Sequence, residues 1–143
     1  MSFYRNMLVA IDTSNEAETV VSRAMALAEN TDAKITIIHV VEPVLIETGY
    51  ELTPAFDVDL ENILIDRSTD FIQQLTEKMK LEPAKSIVTI GSAKQEIHRI
   101  CEEENIDLLV MGTHGRHGIS MLLGSTANAV LHGTTCDVLA VKV

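Results

Sequence analysis

Residues 106–126 read IDLLVMGTHGRHGISMLLGST. A short, nearly continuous apolar run gives way at Gly112 to a connection with four glycines, two histidines and one arginine, and Gly124-Ser125-Thr126 then opens a segment of helical period. A strand covered by crossover helices on both faces has this continuous apolar character, whereas a half-solvated strand would alternate. The stretch therefore reads as strand, glycine-rich loop, helix.

The same unit recurs along the chain. MLVAI (7–11), ITIIHVV (35–41), SIVTI (86–90), IDLLVM (106–111) and DVLAVKV (137–143) are five such runs, separated by longer segments of helical spacing. This pattern predicts an α/β fold, a five-stranded parallel sheet with helices on both faces. The first helix is expected after the capping-box sequence Thr13-Ser14-Asn15-Glu16, with Val20, Val21, Ala24, Leu27 and Ala28 on one face. The second should span about 57–79 and bury Leu60, Leu64, Phe71, Ile72, Leu75 and Met79. The third follows a second box, Ser92-Ala93-Lys94-Gln95, and presents Ile97, Ile100 and Cys101; the fourth should start at Ser125 and bury Val130 and Leu131. Residues 42–57, EPVLIETGYELTPAFD, have no periodicity of their own, and a connection of that length in a compact domain is often functional.

Composition narrows the function classes. A chain of 143 residues with 46% hydrophobic residues fits one domain, residues 1–143, with a sizeable core. No apolar run reaches the roughly 20 residues of a membrane span, and MSFYRNMLVAID lacks the regions of a signal peptide, so the expected location is cytoplasmic. Cys101 and Cys136 lie in apolar patterns and are expected as reduced thiols. The formal charge of −10, with no local basic patch, argues against nucleic acid and anionic lipid as partners.

The glycine loop leaves the C-terminal end of a strand, the edge at which open parallel sheets bind ligands. Gly112, Gly115 and Gly118 allow positive φ and close approach of a ligand to main-chain N–H groups. Gly124, Ser125 and Thr126 at a helix start offer unpaired N–H groups and two hydroxyls to an anion. The loop is not a Walker A loop, because no lysine occurs between Asp107 and His132; nor is it a dinucleotide fingerprint, because the first strand runs into Asp12-Thr13-Ser14 without a glycine. Read alone, the glycines fit either a phosphate cradle or a long turn that needs φ > 0. His114 and His117 on a glycine turn, with no nearby cysteine or carboxylate, are not a recognisable zinc pattern. His39, inside ITIIHVV, reads as a hydrogen-bonded core residue.

From end to end the chain resembles the universal stress protein family. The resemblance rests on MLVAID before a capped helix, on IIHVVE, on TIGSAKQEI, and on IDLLVMGTHGRHG, LLGSTANAVL and CDVLAVKV. It implies the sheet order 3-2-1-4-5, a Rossmann-like architecture of the adenine nucleotide alpha hydrolase type. The ATP-binding branch of the family is similar in carrying G-x-x-G followed by G-[ST], here Gly112, Gly115, Gly124 and Ser125. The spacing departs by one residue, since eight residues separate Gly115 from Gly124.

By that resemblance Ala10 and Ile11 border the base, and Asp12 faces the ribose or a phosphate-bound metal. Val40 and Met111 contact adenine through their backbones. Gly112, His114, Gly115 and Arg116 line the phosphates, with Gly124, Ser125 and Thr126 on the far side. Asp12 also has a purely structural reading as a cap of the first helix. Any metal should be Mg²⁺ arriving with the nucleotide, because Mg²⁺ enters sites largely on substrate phosphates. One arginine, two histidines and Asp12 are a thin set for fast hydrolysis, so the implied role is regulatory, with ATP occupancy as the signal in a stress response. Two alternatives stand beside it: a dimeric adaptor that no longer holds ATP, and a slow ATP-hydrolysing or phosphotransfer enzyme. The last strand, which opens at Asp137 and ends at Val143, is placed by the resemblance at the sheet edge and implies a homodimer.

Overall fold

The computed structural model describes residues 4–43, 45–48, 51–54, 58–113 and 125–143. In chain order they form β1 (Asn6–Ala10), α1 (Ala17–Thr31), β2 (Lys34–Val41), β3 (Leu45–Thr48), β4 (Glu51–Pro54), α2 (Val58–Met79), β5 (Lys85–Ile90), α3 (Ala93–Glu103), β6 (Leu108–Gly112), α4 (Ser125–Leu131) and β7 (Asp137–Val141). Five strands make one parallel sheet in the order β5-β2-β1-β6-β7, which is 3-2-1-4-5 when only these five are counted.

Alternation along each strand divides the apolar residues between two layers. Met7, Val9, Ile35, Ile37, Leu108 and Val110 point to one face, where α1 contributes Val20, Val21 and Ala24 and α2 contributes Ile72 and Leu75. Leu8, Ile38, Leu109 and Met111 point to the other, against Ile97, Ile100 and Cys101 of α3 and Ala127 and Val130 of α4. Both faces of the central strands are thus dry, which is why their sequences are continuously apolar rather than alternating.

Several local expectations are corrected. Thr13-Ser14-Asn15-Glu16 does not form a capping box: α1 starts at Ala17 with Glu16 at the cap position and no side-chain cap bond. Instead the Asp12 carboxylate accepts hydrogen bonds from the backbone N–H and the hydroxyl of Ser14, a local turn that competes with helix initiation. At α3 the second box holds in part, for Ser92 Oγ accepts from the Gln95 N–H. Leu60 and Leu131 are exposed rather than buried, at 40% and 37%. The inward stripe of α2 is carried by Ser68, Ile72 and Leu75, and α4 is a short helix whose inward positions go to Ala127 and Val130. Within residues 42–57, β3 and β4 pair antiparallel from Leu45↔Pro54 to Thr48↔Glu51. A proline and no period-2 alternation hid this ribbon, whose pairing is carried by the backbone.

Three helices end in a residue with left-handed backbone that is not glycine: Asp32, Lys80 and Asn105, with φ of 55°, 55° and 52°. After α2 and α3 the following N–H groups reach back into the helix, Leu81 to the Thr76 carbonyl at 2.9 Å and Ile106 to the Cys101 carbonyl at 3.0 Å. This is the Schellman closure of a helix C-terminus. Ile106 is thereby held by α3 instead of the sheet, so β6 begins at Leu108, two residues after the apolar run does.

Candidate functional site

The strand order reverses between β1 and β6: β2 and β5 lie to one side of β1, β6 and β7 to the other. At such a switch point the loops leaving the C-terminal ends of adjacent strands diverge and open a crevice. A cavity of about 570 Å³ lies there. Ala10, Ile11 and Asp12 line it from the end of β1, Val40 from β2, Met111 and Gly112 from β6, and Thr126 from the first turn of α4. Residues far apart in sequence are brought together because every parallel strand ends at the same edge. His114, Gly115, Arg116 and Gly124 lie outside the described residues, and of Ser125 only the backbone, which opens α4, is described.

Several groups fix the rim. Asp12 uses Oδ1 for Ser14, whose N–H lies 3.0 Å away. The Ser14 hydroxyl in turn accepts from the Glu16 N–H at 3.3 Å, so Asp12 shapes the turn before α1 and still faces the cavity. Glu42, just past β2, accepts from the Ala93 N–H at 3.2 Å. The start of α3 therefore already holds a carboxylate of the protein itself, which leaves less of its dipole for an external anion. On the far side, the Thr113 N–H bonds to the Val141 carbonyl at 2.8 Å and closes the β6–β7 end of the edge.

The electrostatics of the lining are one-sided. Asp12, Glu16 and Glu42 line the cavity, and among the described lining residues there is no lysine or arginine. A bare polyanion is repelled by such a wall, while a neutral heterocycle, or a phosphate chain carrying its own cation, is tolerated. No group of three or more His, Cys, Asp or Glu side chains among the described residues forms a ready-made metal site.

Sequence reasoning missed His39, Glu42, Ser68, Ala93, Ile97 and Ala127, which also line the cavity. His39 Nδ1 is 2.8 Å from the Ile11 carbonyl oxygen, so the reading of a hydrogen-bonded histidine holds, yet the ring also forms part of the wall. One signal was available for Ser68: it interrupts the apolar stripe of α2 with Leu64 four residues before it and Ile72 four residues after it.

Away from the cavity, Glu96 and Cys101 are among the described groups held off their ordinary protonation range. A hydrogen bond from Arg99 holds the Glu96 carboxyl below its usual range; the bond from Arg99 Nε is 2.7 Å, and Thr89 adds a weaker one. Burial pushes the Cys101 thiol up to about 12, helped by Cys136, whose Sγ lies 4.0 Å away. Both cysteines are free thiols.

The sequence model of the universal stress protein family matches residues 3–142. The chain belongs to the universal stress protein family. Among its relatives, universal stress protein A homolog 2 of Coxiella burnetii is 38% identical over 144 residues, which cover 100% of this chain and 98% of the relative. Solved universal stress proteins share its fold. The UspA structure from Lactobacillus plantarum superposes with a TM-score of 0.80 at 26% identity, covering 99% of both chains. A universal stress protein solved in complex with cAMP gives a TM-score of 0.61 at 24% identity, with 96% of both chains covered. Among the described residues of this universal stress protein, no helix is long and apolar enough to cross a membrane.

Proposed function

We propose that this universal stress protein is a cytoplasmic regulator of the stress response that binds ATP in the cavity at the β1/β6 switch point, with nucleotide occupancy as its signal. The observation that carries the reading is the convergence of Ala10, Ile11, Asp12, Val40, Met111, Gly112 and Thr126 on that one cavity, the positions at which the family resemblance puts adenine, ribose and phosphate. A related fold holding cAMP supports an adenine nucleotide as the class of ligand.

In this reading the base lies against the apolar ends of β1 and β6. The phosphates run toward the start of α4 and the glycine loop, where Arg116 is the only cation the sequence supplies between Gly112 and Gly124. Mg²⁺ fits as a companion of the phosphates and not as a resident ion. Such ions need only one or two protein carboxylates, and the Asp12 carboxylate, with Oδ1 committed to Ser14, has its other oxygen to offer. Its charge offsets the acidity of Asp12, Glu16 and Glu42. No described lining residue is set up as base to a water beside a cation, so fast hydrolysis is not part of the proposal.

Ligand that binds only the folded chain stabilises it by RT ln(1 + [L]/Kd), about 2.7 kcal/mol at one hundred times Kd. Millimolar Mg-ATP should therefore raise the melting temperature by several degrees, and NADH should not. Ala10→Leu, which fills the cavity from the end of β1, should abolish the shift while the chain still melts cooperatively. No shift for the wild type with Mg-ATP would refute ATP binding.

The same proposal includes a homodimer. β7 is an edge strand of the sheet, with Ala140 and Lys142 exposed and Val138 and Leu139 half-buried. Its free N–H and C=O groups can pair antiparallel with β7 of a second copy across a two-fold axis. A monomer mass at low micromolar concentration would refute this part.

A further inference from the structure

Cys101 and Cys136 are 35 positions apart in sequence, yet their sulfurs lie 4.0 Å apart. The fold brings them together at the end of the sheet where the strands begin. Cys101 belongs to the last turn of α3, and Cys136 comes one residue before β7. Both sit in the layer of Leu8, Ile97, Ile100 and Leu109, Cys101 fully buried and Cys136 packed against it and half-buried. Neither lines the cavity.

Packing does not call for two sulfurs in contact, since a free cysteine in a core behaves as a small hydrophobe that another apolar residue can replace. Nor do the two begin a metal site. Structural zinc takes four ligands, and among the described residues no third His, Cys, Asp or Glu joins them to make one.

A disulfide holds its sulfurs about 2 Å apart, so these two must close by about 2 Å. Their anchors differ. The Cys101 carbonyl accepts from the Ile106 N–H at 3.0 Å in the closure of α3, which holds Cys101 in place. Cys136 stands in irregular chain between α4 and β7, and its N–H reaches only the nearby Thr134 hydroxyl, at 3.4 Å. The approach therefore falls to Cys136.

The two thiols also differ in chemistry. The Thr134 hydroxyl lies 3.4 Å from the Cys136 sulfur and can turn its proton toward it, which favours negative charge there. Burial pushes the Cys101 thiol up to about 12, so it stays protonated where Cys136 is the one an oxidant reaches first.

We propose that Cys136 is a peroxide-reactive thiol and that Cys101 is its resolving partner, the two closing a reversible disulfide within one chain. In the first step the Cys136 thiolate attacks one oxygen of hydrogen peroxide. The O–O bond breaks, the sulfur gains a hydroxyl as sulfenic acid, and the other oxygen leaves as hydroxide and takes up a proton to become water. In the second, the Cys101 sulfur attacks the sulfenic sulfur, the S–O bond breaks, and the Cys101 proton leaves with that hydroxyl as a second water. Two electrons pass from the thiol pair to the peroxide. A protonated Cys101 is a slow nucleophile, and its fixed place beside Cys136 compensates through proximity. In a reducing compartment such a bond is transient, as expected of a redox-sensing pair. It closes a loop holding β6, the glycine-rich stretch and α4, and it does so independently of the nucleotide reading.

The test treats the reduced full chain with equimolar hydrogen peroxide, unfolds it in iodoacetamide, and reads intact mass. Wild type should lose about 2 Da, take up no iodoacetamide, and recover both thiols with dithiothreitol. On a non-reducing denaturing gel it should run as a single chain. Cys101→Ala, with no partner thiol, should stop at sulfenic acid and take up dimedone at Cys136. Cys136→Ala should keep Cys101 as a thiol that iodoacetamide finds only after unfolding. The oxidised wild type should melt about 5–10 °C above the reduced protein, because the bridge restricts the unfolded chain, and peroxide should not raise the melting temperature of either variant. The wild-type result stands whether or not a variant folds. Wild type that gains oxygen at Cys136 while Cys101 still takes iodoacetamide overturns the proposal. So does a product of two chains joined by a disulfide, or a protein whose thiols both survive the peroxide.

Discussion

Met111 sits where core and cavity meet, and truncating it separates the two roles. Its side chain is 5% exposed and packs in the layer of Leu8, Ile38, Ile97 and Val130, while the same residue lines the cavity. Replacing a buried methionine by alanine costs about 2–5 kcal/mol, from lost transfer energy and from the hole left behind. The hole here would merge with a cavity that is already open, so it can hydrate, and the cost should fall in the lower half, about 2–3 kcal/mol. With an unfolding entropy near 2.1 cal/mol/K per residue, a chain of 143 residues loses roughly 3 °C of melting temperature per kcal/mol, so Met111→Ala should melt about 6–10 °C lower. Met111→Leu, which nearly conserves volume, should cost less than about 1.5 kcal/mol. Thr126→Ala, an exposed position on the same rim, should stay within about 0.5 kcal/mol. Urea unfolding followed by circular dichroism reads all three, with the midpoint moving and the slope unchanged. In the proposed complex Met111 meets adenine through its backbone, so the ATP affinity of Met111→Ala should remain within about twofold of wild type. A loss of stability below about 1 kcal/mol would refute the packing argument. Loss of binding with stability intact would show that the side chain serves the ligand instead of the core.

Three further outcomes follow from the geometry. The Asp107 carboxylate accepts from the Arg5 N–H at 2.8 Å and the Asn6 N–H at 3.1 Å, fastening the entry to β1, so Asp107→Ala should cost about 1–3 kcal/mol in urea unfolding and Asp107→Asn about half as much. Cys101, raised from 9.0 to about 12, keeps in the folded chain a proton that the unfolded chain releases; its contribution to stability is complete below pH 9 and is lost as pH rises toward 12, and Cys101→Ala should flatten that alkaline loss. At pH 8 iodoacetamide should modify the half-buried Cys136 well before Cys101.

How much of this could be read in the sequence depended on whether the force at work was side-chain burial or backbone bonding. The five parallel strands and the α1 and α3 faces were legible because burial on both sides of a sheet writes itself as continuous apolar runs. β3 and β4 were not, since their pairing leaves no period in side-chain character. The turn before α1 was misread because Asp12 and Ser14 satisfy each other more directly than a capping box across Thr13 to Glu16 would. On the site, sequence and resemblance reached the strand-end residues, whose positions the topology dictates. They did not reach Ser68, because which face of α2 meets the strand ends is decided by how the helix lies over β2. A lone serine in an apolar stripe looks like tolerated noise until the wall around it is seen.

The left-handed residues Asp32, Lys80 and Asn105 close helices that lead back to the start of β2, β5 and β6, the end of the sheet opposite the cavity. Side-chain-bearing residues in that conformation carry local strain of order 1 kcal/mol that glycine would not. The molecule thus keeps unused reserves at its closed end, remote from the strand ends that line the cavity. A lineage or an engineer needing a sturdier protein can draw on those three positions first, leaving the cavity edge free to vary.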